Sequence, residues 1–353
     1  MLRFFAFRKM KIIDYIIVGD GFAAYFLAHR LIREGKSFML FSDGITGASG
    51  VSAGVVNPVV LKKFTTFWLA QEQIDALHKT LEEMSAYTGR NYWIYEPVFR
   101  VFHDEAERDL WLKKSGTDEL KPFLSTDFTF FDEIHNPFGC GEVLQSGRVD
   151  VPAFFSDFSS YLHTNGHDAG AAFDYNLLEP ENNIYLDFKY RHVVFCEGMG
   201  VVQNPWFHDL AVSPNKGHHL LVKLPAGSTK STVKKKHFLF PLNEGHWYYG
   251  GTYDRNGVGA AVDEKAVAEL ESGLSQLASD YTVEEVRNGF RPTVRDRRPI
   301  LGAHFRFGNL FVLNGLGGRG LLNGNYFAEE LFRHIEYGES LRSETDIARF
   351  GSE

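Results

Sequence analysis

Six residues, GDGFAA at 19–24, constrain this chain more than any other feature. They stand between a β-branched run at 12–18 (IIDYIIV) and an apolar, helix-like stretch over 22–33, which reads as strand, turn, helix. In the pattern G-x-G-x-x-A, Gly19 permits the tight turn and Gly21 lets backbone N–H groups approach an anion. Ala24 allows close helix packing, and the helix N-terminus then faces the phosphates. A second apolar run at 37–42 ends in FSD, so Asp43 falls about 20 residues after the glycines, where an acidic group accepts from ribose hydroxyls. The unit predicts a dinucleotide site built from Gly19, Gly21, Phe22, Ala23, Ala24, Ser42 and Asp43. The plainer alternative is a glycine turn in an ordinary α/β unit, with Asp43 a solvated turn residue.

Further along, apolar residues recur at near-helical spacing over 65–84, and residues 92–102 alternate aromatic and β-branched side chains. Similar short strands over 220–252 are separated by Pro, Gly and Asn turns, and the two stretches read as one antiparallel sheet split in sequence. Residues 151–162 read as a helix, and 192–195 (HVVF) as a buried strand ending in CEGMG. A helix is expected near 263–279, a strand at 310–313, and a helix from about 322 to 335. Parallel-type units at both ends with antiparallel strands between predict a mixed α/β fold of two domains interleaved in sequence.

The chain has 353 residues, enough for a sizeable core. Its formal charge of -8 gives no electrostatic reason for avid nucleic-acid binding. Two cysteines, Cys140 and Cys196, are too few for a disulfide framework or a multi-cysteine zinc site, and a reduced, cytoplasmic setting fits them. The start, MLRFFAFRKMKII, is basic and apolar, but its apolar stretch is short, so it reads as a leader to the first strand rather than a signal sequence. No apolar run approaches the roughly 18 to 20 residues that span a bilayer, and no membrane partner is expected.

Three more motifs bear on chemistry. The small-residue run 47–58 (GASGVSAGVVNP) suits close passage under a ring system, or is a flexible loop. Downstream come 289–302 (GFRPTVRDRRPILG) and 314–324 (NGLGGRGLLNG), the second a glycine-rich strand-to-helix turn of the kind that receives negative charge. His218 and His219 are adjacent on an expected strand and so point to opposite faces, which disfavours a metal site. Lys230, Lys234, Lys235 and Lys236 lie in a Ser/Thr-rich turn and read as a solvated loop, with phosphate contact the alternative.

On these residues the sequence resembles the D-amino-acid oxidase type of FAD-dependent oxidoreductases, with glycine oxidase and the FAD half of the tRNA-modifying enzyme MnmC as nearest likenesses. The resemblance runs from Asp14 to about Ile335. Its carriers are the fingerprint, AS-x3-AG at 48–54, KG at 216–217, GGTY at 250–253, the two C-terminal motifs and AEEL at 328–331. It implies a Rossmann-like FAD-binding domain from residues 11–88, 145–212 and 290–345, interleaved with an antiparallel-sheet substrate domain from 89–144 and 213–289. It adds Ala48, Ser49, Gly54, Gly198, Gly315, Gly317, Gly318, Gly320 and Leu321 to the cofactor residues. FAD is expected to be non-covalent, since neither cysteine lies in a flavin-attachment motif of the family.

The resemblance also places a substrate carboxylate on Arg291, and a guanidinium fork suits that task through two parallel bonds. A local ion-pair network with Arg295, Asp296, Arg297 and Arg298 is the alternative. Arg319, at the turn the family aims at the flavin pyrimidine, would contact substrate or stabilise reduced flavin, or else only cap the turn. Phe238 falls where the amino-acid oxidases carry a carboxylate-holding tyrosine, and a phenyl ring cannot replace that hydroxyl. Tyr253 is the candidate replacement, or a sheet aromatic. At 196–198 this chain has Cys-Glu-Gly where the family commonly has Ala-Thr-Gly. The implied activity is oxidation of a carboxylate-bearing amine, of N-substituted glycine or D-amino-acid type, by hydride transfer to flavin N5, with oxygen or another acceptor completing the cycle. The alternatives are a carboxymethylaminomethyl-uridine oxidase acting on tRNA, a 2-hydroxy-acid dehydrogenase, and a flavin-binding protein without catalysis.

Overall fold

The structure is a computed structural model that describes residues 10–44, 47–225, 228–242, 245–257 and 259–351. The leader expected at the start falls, for residues 1–9, outside the described residues. The chain forms two compact units, the first from segments Met1–Gly50, Phe155–Ser213 and Arg291–Glu353, the second from Val51–Phe154 and Pro214–Phe290.

The first unit is built on four parallel strands. Lys11–Val18 is central, with Phe38–Phe41 on one side and Phe188–Phe195 on the other, and Leu310–Asn314 pairs beyond that. Ile300–Ala303 joins Leu310–Asn314 antiparallel, and Leu178–Glu179 and Ile184–Tyr185 extend the sheet as short antiparallel pieces. The apolar runs YIIV (15–18) and VVF (193–195) do not alternate because they are buried on both faces, as parallel strands require, whereas Ile12 near the start of its strand is exposed. The Phe22–Arg33 helix buries nine of its residues, and Gly35 beyond its end takes the left-handed conformation that stops it. The Gly320–Tyr337 helix packs against it, with Gly324 opposite Phe22 and Ala23 so that the two backbones approach closely.

Eight strands form a second sheet, which belongs to the second unit except for the strand ends Val212–Ser213 and Arg291–Val294 of the first. Their order is Thr282–Val294, Val212–Lys223, His246–Gly250, Phe238–Pro241, Thr232–Lys234, Val98–Val101, Cys140–Val143 and Leu124–Thr129. The Glu264–Leu274 helix covers one face, burying Leu270 and Leu274 with Leu220, Val222, Leu239 and Tyr249. The expectation of one antiparallel sheet needs two corrections. Thr232–Lys234 pairs with Val98–Val101 in parallel, and the 92–102 stretch serves two sheets. Trp93–Ile94 joins Gly147–Val149 and Val55–Val56 in a small separate sheet, and Pro97, which has no N–H to donate, stands at the break.

Helix boundaries also differ from expectation. The helix expected from 65 begins at Ala70, because Leu69 is left-handed (φ 55°) and Thr65–Thr66 pairs with Val59–Val60 instead. The helix near 263–279 ends at Leu274. Among the described residues no helix is long and apolar enough to cross a membrane.

Candidate active site

In the first unit the separated glycine motifs come together. Gly19 follows the first strand with φ 116°, and a side chain there would stand 2.5 Å from the Cys196 carbonyl oxygen, so the turn needs glycine for both conformation and space. Its N–H donates to the Phe41 carbonyl, while Cys196 N–H donates to Val18, which fixes the fingerprint between two strand ends. Gly21, the cap of the Phe22–Arg33 helix, offers no side-chain hydrogen bond, and Ser49 Oγ accepts from Phe22 N–H at 3.2 Å instead. Thus the 48–49 run closes part of the helix end. The N–H groups of Ala23 and Ala24, in the first turn, have no intrahelical acceptor and point out of it.

The second glycine-rich turn lies beside the first. Asn314 ends its strand buried, donating from Nδ2 to the Gly198 carbonyl (2.9 Å) and accepting from Gly315 N–H at Oδ1 (2.7 Å). Asn323 donates to the Leu316 carbonyl at 3.0 Å. Gly317, Gly318 and Arg319 form a single 3-10 turn, and the long helix starts at Gly320, two residues earlier than expected, with Leu321 buried. A side chain at Gly320 would stand 3.4 Å from Phe22, so both helices begin in the same corner.

The arginine motif reaches that corner as well. Arg291 is half-buried near the end of the Thr282–Val294 strand. Two residues on, and so on the same side of the strand, Thr293 holds the Ser213 carbonyl at 2.9 Å and lies 4.0 Å from where a Gly317 side chain would begin. Pro292 stands 3.9 Å from the corresponding point at Gly198. Gly198 and Gly317 both have positive φ and otherwise open space on that side. A planar ring system fits against such bare backbone. Exposed Arg319 projects from the same turn.

The Cys-Glu-Gly departure is accommodated. Glu197 is held by the Tyr175 hydroxyl and, at 2.8 Å, by Asn204 Nδ2, and burial raises its pKa against the pull of these bonds. Cys196 and Cys140 are free and buried, and burial pushes the Cys140 thiol up to about 12.

Several other sequence candidates belong to the second unit. Gly54 belongs to the second unit, with φ 66°, and its carbonyl accepts from Val149 N–H at 2.9 Å; a side chain there would run into the Val149 carbonyl. Tyr253 is also in the second unit and is 72% exposed, on the turn after the His246–Gly250 strand. Phe238 pairs with Gly250, and Lys234 Nζ sits 4.0 Å above its ring. His219 stacks on Tyr248 at 4.6 Å, whereas His218 Nε2 accepts from Asp263 N–H at 3.2 Å. Lys236 pairs with Glu269 at 3.1 Å.

A family model described as FAD dependent oxidoreductase (DAO) matches residues 14–333. The chain belongs to the DAO family of FAD-dependent oxidoreductases. Among curated proteins it is similar to the tRNA 5-methylaminomethyl-2-thiouridine biosynthesis bifunctional protein MnmC of Caulobacter sp. (strain K31), 25% identical over 337 residues that cover 90% of this chain and 54% of that one. It is also similar to the bifunctional protein ThiO/ThiG of Trichormus variabilis, 23% identical over 88% of this chain and 50% of that one. The chain thus spans about half the length of these relatives. In fold it is similar to glycine oxidase from Geobacillus kaustophilus (TM-score 0.78, 20% identity, 96% of this chain and 98% of that one). It is similar too to iminodiacetate oxidase from Chelativorans sp. BNC1 (TM-score 0.76, 19% identity, 94% and 99%).

The sequence motifs did not single out Asn314, Asn323 and Asp20, whose side chains brace the glycine turns. The first two flank the glycine run, and a polar residue at each end of such a turn is a signal that its carbonyls are being tied down. Asp20 was signalled by its place inside the fingerprint.

Proposed function

We propose that this FAD-dependent oxidoreductase oxidises an amine that bears a carboxylate, of the N-substituted glycine or D-amino-acid type. Gly19, Gly21, Ala23 and Ala24 would hold the cofactor diphosphate, with Ser42 and Asp43 toward the ribose. Ala48, Ser49, Gly198 and the turn from Gly315 through Leu321 would hold the flavin side. FAD, held without a covalent bond, supplies the hydride acceptor at N5, and the imine left on the substrate is hydrolysed by water. Arg291 orients the substrate by pairing with its carboxylate through the guanidinium fork. Arg319 and the N-terminus of the Gly320–Tyr337 helix favour negative charge at that corner. We assign the first unit to the cofactor and the second to substrate selection, with Tyr253 as a substrate contact and Gly54 as a cofactor contact, and we place the protein in the cytoplasm.

The observation that carries this reading is the position of Arg291 on the strand that reaches Gly198 and Gly317 through Pro292 and Thr293. Likeness to glycine and iminodiacetate oxidases supports an amino-acid substrate. The test is anaerobic bleaching of the flavin by a panel of N-alkyl glycines, D-amino acids and 2-hydroxy acids. Amines are expected to bleach it, with KM rising about 100-fold in Arg291→Lys, a loss of roughly 3 kcal/mol from the bidentate contact. Reduction by hydroxy acids alone sinks the amine assignment. A second reading, oxidation of a carboxymethylaminomethyl group on tRNA, is favoured by the likeness to MnmC, and bleaching by modified tRNA but by no free amino acid would select it.

A further inference from the structure

Asp20 stands between Gly19 and Gly21, immediately ahead of the N-terminus of the Phe22–Arg33 helix. A carboxylate has the wrong charge there, since the turn and the helix end are arranged to receive an anionic diphosphate. Its surroundings sharpen the conflict. Half-buried, it accepts a hydrogen bond from Ser42 Oγ at 2.5 Å, which ties the fingerprint to the end of the Phe38–Phe41 strand. The charged groups facing it are Asp43, next to Ser42, and Asp168, on the segment after the Val151–Thr164 helix, and both are acidic. From the Phe22–Arg33 helix the facing titratable group is the Tyr25 hydroxyl, which feels Asp20 and Asp168 together. Burial first, and the two carboxylates after it, move the Asp20 carboxyl above the ordinary 3.8, while the Ser42 hydrogen bond pulls the other way.

A bound diphosphate adds two negative charges beside this group. Each like charge favours the protonated form, and the neutral acid can then donate a hydrogen bond where the carboxylate would repel. We propose that Asp20 is a cofactor-facing residue that takes up a proton from solvent when the FAD diphosphate enters the turn, so that cofactor affinity is proton-linked. The proposal rests on the FAD reading and is independent of which substrate is oxidised.

The sign follows from linkage. A group whose pKa is higher in the complex than in the free protein makes binding tighten as pH falls, by up to tenfold per pH unit for one proton. The window lies between its free-protein value, above 3.8, and the higher value in the complex. Apoprotein titrated with FAD between pH 8 and 4.5, followed by quenching of flavin fluorescence, should show this slope. In Asp20→Asn the slope should vanish, with binding at pH 8 tighter than wild type by about tenfold or more. Riboflavin, which has no diphosphate, should show no slope. Calorimetry of the wild type in buffers of different ionisation heat should register uptake of up to one proton per FAD inside the window, a readout that needs no variant. FAD binding that is flat with pH, or that weakens on acidification and is weakened by Asp20→Asn, would mean that Asp20 acts as an ordinary ribose-accepting carboxylate and overturns the proposal. Wild-type apoprotein that binds no FAD at any pH would overturn the cofactor reading as well.

Discussion

The two glycine-rich turns that begin the Phe22–Arg33 and Gly320–Tyr337 helices solve one problem by different means. At the first, backbone geometry does most of the work: Gly19 is wedged between two strand ends, and one serine hydroxyl reaches in from Ser49. At the second, side-chain amides from Asn314 and Asn323 occupy three backbone groups and leave the glycines between them bare. The charges differ too, an acid at position 20 in one and a base at position 319 in the other. Two turns of similar composition are therefore specialised by their neighbours, not by their glycines.

This contrast can be broken by mutation. The largest effect is expected from Gly19→Ala, where a side chain meets the Cys196 carbonyl and φ is 116°; urea unfolding should show a loss of about 3 kcal/mol or more, and purified protein should lose its flavin. Asn314→Ala should cost about 2 kcal/mol by the same measurement, because the Gly198 carbonyl and Gly315 N–H lose their partner. Ser49→Ala should cost about 1 kcal/mol, the ordinary value of a helix-end hydrogen bond. If the Ser49 change proves more damaging than the Asn314 change, the first turn is held by its side chain after all and the contrast fails.

Much of this was legible because local chemistry and fold agreed. The β-branched run, the glycine spacing and the apolar helix each demand the same strand, turn and helix, and the helix bounds match at Phe22–Arg33. Other elements left weaker traces. The Glu105–Ser115 helix buries little beyond Trp111, so hydrophobic periodicity does not show it. Its readable sign was the cap, since Asp104 accepts from Glu107 N–H at 2.7 Å and Glu107 reaches back to His103 N–H. The Thr282–Val294 strand was missed because TVEEVRNGFRPTV is an edge strand with Val294 its one fully buried residue. That mattered for the proposed substrate contact, because this strand carries Arg291. Tyr253 is 72% exposed, which no residue pattern announces.

The parallel pairing of Thr232–Lys234 with Val98–Val101 has a consequence for how the protein is made. During translation the earlier strand leaves the ribosome with one edge satisfied by Cys140–Val143 and the other waiting for a partner not yet synthesised. The same delay falls on Lys11–Val18, whose central neighbour Phe188–Phe195 emerges much later. Nascent chains stalled between these segments should therefore expose unpaired strand edges and invite chaperones, and a fragment ending before residue 188 should fail to become a soluble domain.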